Sequence, residues 1–220
     1  MKRVLTFLTF ALTFSTNAQT VLDKLYIDLN TGTRLLGKTS EATKVIPGIH
    51  FDAGVGYQLN PNIAIKGEFA VDSYKAQDSV AKWDGQMKIA NINDESVLYR
   101  ATVNAVINVG ELAGFATENF GFKVQVGAGV ASNSNTNYKN STSGIFSDPG
   151  IKGNDDMITA SLGLNPQYRI SDRVALNGTV SFAILAKQSH YIDRSINNAL
   201  INGTDQLMNA SIGISVKLGK

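Results

Sequence analysis

Few residues in this chain could carry chemistry. It has two histidines and no cysteine, so thiol catalysis, thiolate metal sites and a disulfide framework are excluded. His190 stands in "QSHYID", next to Ser189 and near Asp193. A hydroxyl, an imidazole and a carboxylate are the parts of a nucleophilic triad, recognised by geometry rather than chain order. His50 is the other possible base, and Asp78-Ser79 adds a further acid and hydroxyl. Asp148, Asp155 and Asp156 could offer oxygen ligands to Ca²⁺, but they lack the regular spacing of a calcium loop. A histidine in a polar segment is ordinarily solvated, and acids among Gly, Asn and Ser ordinarily keep a loop soluble. The reading is therefore no enzyme, no metal and no cofactor.

A larger set of charges recurs at alternate positions. Asp28, Asp52, Glu68 and Asp72 stand against Arg34, Lys66, Arg100, Lys123, Arg169 and Lys217, and all lie within segments where every second residue is apolar. Those segments are the elements that must position them. Leu25, Ile27 and Leu29 alternate with polar residues, as do Ile49 to Leu59, Ile63 to Val71, Val97 to Ile107, Phe120 to Val130, Ile158 to Leu164, Val174 to Ile184 and Met208 to Leu218. Alternation at this length is the signature of a half-buried strand.

Connections alternate as well. Long polar segments fall near 36–47, 75–96, 132–155 and 186–205. Between them lie the short turns "NPN" and "SDR" and the connection "GELAGFATEN". Long connections at one end and short ones at the other predict an all-β, eight-stranded, up-and-down antiparallel transmembrane barrel. A strand of roughly eleven residues, tilted by about 40°, spans near 28 Å, the height of a thin apolar band.

A soluble eight-stranded carrier barrel would alternate too, with its apolar face inward. The make-up of the polar face separates the two. It holds Gly54, Gly56, Gly127, Gly129, Gly163 and Gly213 among Ala, Ser and Asn, which suits a crowded lumen better than a water-covered face. The apolar face carries no charge in any segment, as lipid requires. The charges are thus expected in the lumen, where the functional reading is an ion path or gate. The alternative is a set of ion pairs filling an interior only wide enough for side chains.

The N-terminus "MKRVLTFLTFALTFSTNAQT" has a basic start, a short apolar run and small residues before Ala18. It reads as a cleaved signal peptide, residues 1–18, leaving a barrel of residues 19–220. Loss of Lys2 and Arg3 would take the formal charge from +2 to about zero. No basic cluster marks a nucleic-acid partner.

Signal, eight alternating strands and the turn "GYQLNPNIAIKGEF" resemble the bacterial outer-membrane β-barrel family, in particular its small OmpA- and OmpX-like members. The resemblance implies a monomer in the outer membrane of a Gram-negative bacterium, in contact with lipid and lipopolysaccharide. Short turns would face the periplasm, with Tyr57, Tyr168 and Phe120 as an aromatic girdle on that side. The chain departs from the pattern in ending "SVKLGK", without a terminal aromatic, and in having no peptidoglycan-binding domain after the barrel. Pro166 within a strand predicts a bulge.

The expected function is envelope structure or surface interaction through four long extracellular loops, with Trp83, Met87, His190, Tyr191 and Ile192 as candidate contacts for a protein partner. Limited solute passage, as in a small porin, is the second reading. The third is modification of lipid A, although "QSHYID" lacks the His-x-Ser spacing of the deacylase members and no amphipathic helix precedes the first strand.

Overall fold

A backbone that alternates apolar with polar side chains has a lipid face and a lumen face, and closing its edges removes every unpaired N–H and C=O from the hydrocarbon. The structure, a computed structural model, describes residues 21–36, 43–78, 81–83, 86–88, 92–135, 155–188 and 203–219. Eight strands form the wall: β1 Leu25–Leu36, β2 Gly48–Asn60, β3 Ile63–Asp78, β4 Ile92–Asn108, β5 Phe120–Asn135, β6 Asp155–Arg169, β7 Val174–Gln188 and β8 Gly203–Lys217. Each pairs antiparallel with its chain neighbour, and β1 pairs with β8 from Tyr26↔Lys217 to Leu36↔Leu207 to close the barrel. No described helix is long and apolar enough to cross a membrane; strands do the crossing.

The strands reach further than the apolar alternation does. β3 runs to Asp78, β4 starts at Ile92, β5 runs to Asn135, and a short strand Thr43–Ile46 pairs with the end of β3. A separate hairpin joins Ala81–Trp83 to Gln86–Lys88. Polar side chains end the apolar pattern, but the ladder continues because backbone pairing does not depend on side-chain polarity.

The outward face is apolar for the height of the wall. Leu29, Val55, Ile65, Val103, Val126, Leu162, Val180 and Ile212 are all exposed on it. Polar outward residues begin towards the long-connection end, with Thr33, Ser132, Asp156 and Gln206. At the other end Phe120 and Tyr168 are exposed and in direct register, and half-buried Tyr57 has the Lys24 ammonium 5.9 Å from its ring centre.

Both tight turns at that end are closed by the same device. Asn60 Oδ1 accepts from the backbone N–H of Asn62 and of Ile63, each at 2.9 Å. Ser171 Oγ accepts from the N–H of Arg173 and of Val174 at 3.4 and 3.1 Å. Each acceptor stands three residues after the tyrosine of a repeated phrase, "YQLNPNIAI" and "YRISDRVAL", so the repeat encodes a turn. Asn60→Ala is expected to lower unfolding stability by about 1–2 kcal/mol through loss of both bonds, read as a shifted urea midpoint of the refolded protein. Ser171→Ala should do the same; an unchanged midpoint in both would remove the turn from the stability account.

The bulge expected at Pro166 is absent. The β6–β7 register is the same on both sides, Asn177↔Gln167 and Val180↔Leu164, with the ladder open only between them. Gly178 lies beside the proline ring, and inside the lumen Asn165 Nδ2 donates to Thr179 Oγ1 at 2.6 Å. Space from the glycine and one side-chain bond across the gap replace the missing backbone donor without an extra residue.

Candidate functional site

Inward positions of β1 to β4 bring the charges together. His50 on β2 sits between two carboxylates, with Nδ1 2.6 Å from Asp72 Oδ1 and Nε2 2.9 Å from Asp52 Oδ2. Ionised carboxylates can only accept, so the ring fills this arrangement when both nitrogens carry a proton. Arg100 Nε on β4 donates to the other oxygen of Asp72 at 3.0 Å. Asn209 of β8, with its amide oxygen towards the guanidinium, accepts from Arg100 Nη2 at 2.8 Å. Asn30 Nδ2 donates to Asp52 Oδ1 at 2.6 Å. One layer down, the Lys66 ammonium is 2.7 Å from Glu68 Oε2 and 3.6 Å from Asp28 Oδ2. Arg34 is buried above them, and Asp72 has no exposed surface at all. Charges this deep persist only when paired and hydrogen-bonded.

The opposite wall, β5 to β8, is small and uncharged over the same height: Thr159, Ser161, Asn165, Asn177, Thr179 and Ser211 face inward. Ser161 Oγ donates to Asn104 Oδ1 at 3.3 Å. Four inward glycines lie in direct register with a large partner: Gly56 with Tyr26, Gly213 with Asn30, Gly127 with Asn104 and Gly163 with Gln125. A Cβ on any of the four would strike that partner's side chain. Each pair therefore fills its share of the lumen with one large residue and one absent side chain.

Apolar layers bound the ionic one. Towards the long-connection end, Leu98, Ala131, Met157, Ala183, Leu185 and Leu207 form one buried cluster inside the barrel. Towards the short-turn end, Tyr26, Ala64 and Val106 form another. Neither cluster is expected from the alternation. Leu98 stands in "VLYR", Leu185 in "AILAK" and Leu207 in "DQLM". In these runs of consecutive apolar residues both faces look alike, and only the parity of flanking charges such as Arg100 points Leu98 inward.

The expected site residues divide into groups. Asp28, Asp52, Glu68, Asp72, Lys66 and Arg100 share the connected interior just described, and Arg34 is buried with them. Lys123 is half-buried nearer the short-turn end, its ammonium 5.4 Å from the Tyr26 ring centre. Arg169 departs from the expectation. It is exposed at the end of β6, lining the open mouth of the barrel with Lys217, and takes no part in the buried network. Its parity is inward, but it lies past the last buried layer.

His50 has carboxylates on both ring nitrogens and no hydroxyl among its hydrogen-bond partners in the described residues. His190, Ser189, Asp193, Ser79, Asp148, Tyr191 and Ile192 lie outside the described residues. Trp83 and Met87 fall on the short hairpin, in register with Gln86 and Lys82. Asp155 and Asp156 begin β6, the latter exposed. Among the described residues no group of His, Cys, Asp or Glu is arranged to hold a metal ion.

No model of a protein family matches the chain, and no curated protein matches it. Solved structures do. Neisserial surface protein A (NspA) aligns over 88% of this chain and 96% of its own, at 13% identity and a TM-score of 0.51. The outer membrane protein OprG of Pseudomonas aeruginosa aligns over 91% and 98%, at 11% identity and TM-score 0.46. The outer membrane protease OmpT of Escherichia coli aligns over 88% and 96%, at 8% identity and TM-score 0.46. The likeness to the first is one of fold: this chain has the closed eight-stranded fold of the small outer-membrane β-barrels.

Proposed function

We propose that this is a non-enzymatic outer-membrane barrel that supports the envelope and makes surface contacts through the long connections at one end. The observation that carries the reading is the filled lumen. An apolar cluster around Leu98, Leu185 and Leu207 lies across one end of the ion-paired layer, and Tyr26, Ala64 and Val106 lie across the other. Side chains that occupy the axis leave the loops as the place for function. The uncharged outer belt supports residence in a lipid bilayer, and short connections at one end support a periplasmic orientation for that end.

Single-channel recording of the refolded protein in planar bilayers is expected to show no steady conductance. Stepwise channels that persist would replace this reading with slow solute passage. The loop assignment has its own test. Replacing residues 136–154 by a short Gly-Ser linker should leave refolding unchanged, because changing the length of the link between two paired strands costs little loop-closure entropy. It should also reduce binding of the exporting cells to their surface partners; equal binding with and without the segment sinks that part. Against catalysis, lipid A from cells exporting the chain should keep its mass, and a mass change lost with His50→Gln or His190→Gln would overturn the non-enzymatic reading.

A further inference from the structure

The mouth at the short-turn end has a charge pattern unlike the interior beyond it. A cavity of about 350 Å³ opens there. Of the inward strand positions lining it, Lys123, Arg169 and Lys217 are cations and none is an acid. The acids that line it, Asp23, Glu111, Glu118 and Asp172, come from the turns and segments around the rim. Of the deeper carboxylates, Glu68 lies 2.7 Å from the Lys66 ammonium and Asp28 3.6 Å from it, so Asp28 is shared between Lys66 and the nearby Lys123. Lys123 extends across the lumen to rest on the Tyr26 ring, 5.4 Å from its centre. Among the described residues neither Lys123, Arg169 nor Lys217 makes an ion pair.

Three cations at inward positions around one cavity repel one another, and the one carboxylate near Lys123, Asp28, is shared with Lys66. An anion in the cavity relieves that repulsion. The geometry points to a binding site here for a compact oxyanion bearing two or three carboxylate or phosphate charges, with Lys123 at the floor and Arg169 and Lys217 on the wall. Arg169 supplies a planar fork suited to two oxygens at once, while the lysines act as point charges. The volume lies at the low end of small-molecule pockets, which selects a compact ligand. The site opens along the barrel axis, inside the rim, whereas lipid phosphates lie outside the wall. The anion therefore comes from the aqueous compartment below the barrel.

The test uses the full chain refolded in a neutral detergent at low salt, titrated with pyrophosphate or citrate by calorimetry, with ³¹P line broadening for pyrophosphate and acetate as the monovalent control. Both multivalent anions should bind and acetate should not. Lys123→Met, which keeps an apolar stem over Tyr26, and Arg169→Gln, on an exposed position, should each weaken binding by about tenfold or more. Lys187→Gln, at the opposite end of the wall, should leave it unchanged. No heat or broadening at millimolar anion overturns the site, as does equal weakening by Lys187→Gln, which would mean diffuse surface charge. In nanodiscs, pyrophosphate should bind alike in phosphatidylcholine and phosphatidylglycerol. Competition by the anionic lipid would overturn the aqueous source and assign the phosphate to a headgroup.

Discussion

Asp72→Ala should destabilise the refolded barrel by about 3–5 kcal/mol, the usual penalty for removing one partner from a buried ionic cluster. The carboxylate has no exposed surface and holds two groups at once, His50 through one oxygen and Arg100 through the other. Among the described residues its loss leaves His50 facing Asp52 and Arg100 facing the Asn209 amide, with the Arg34 cation nearby and no carboxylate for Arg100. Urea unfolding in lipid vesicles gives the measurement. Adding Arg100→Met to the same protein should recover part of the loss, since the orphaned cation is then gone. If Asp72→Ala is neutral within error, the buried charges are hydrated and the filled-lumen reading fails with them.

Val103→Arg carries the second large effect, about 2–4 kcal/mol for a cation near the bilayer midplane. Val103 lies mid-strand on β4 and is 64% exposed on the outward face. Its neighbours in register, Gly67 on β3 and Ala128 on β5, offer no oxygen for the guanidinium beyond their own paired backbone. The variant should fail to reach the heat-resistant folded form in vesicles, whereas Thr102→Ser on the inward face next to it should fold. Normal folding of Val103→Arg would mean that this face does not meet hydrocarbon. A control at Ser132, outward but beyond the apolar belt, should accept arginine with little change, because the penalty falls off towards the interface.

The outward face was the most legible part of the sequence. Lipid excludes charge at every position it touches, so Phe51, Val103, Leu162 and Ile212 could be placed from parity alone. The lumen was less so, because it admits charged, small and apolar side chains alike. Parity assigns a face and not a height. Arg169 and Lys217 share the inward parity of Asp28 and Lys66, yet they end at an open mouth. For the same reason Leu98 and Leu207 gave no hint that they meet across the barrel, since a tilted strand puts residues far apart in sequence at one level. Pro166 misled for a local reason. The missing donor was legible, but Gly178 and the Asn165–Thr179 bond, which make a bulge unnecessary, are long-range facts.

The paired volumes inside the wall also bear on how the barrel is put together. A slip of one residue between strands turns lumen side chains into lipid and is rejected outright. A slip of two keeps every face and would pass that check. Between β1 and β2 the native register sets Tyr26 on Gly56 and Asn30 on Asp52. Sliding by two in one direction sets Asp28 on Asp52, two carboxylates face to face, and sliding in the other sets Tyr26 on Gln58 and Arg34 on His50. One direction is refused by like charge and the other by like charge and crowding together. The interior thus does what the lipid face cannot: between β1 and β2 it penalises both two-residue slips that leave every face in place.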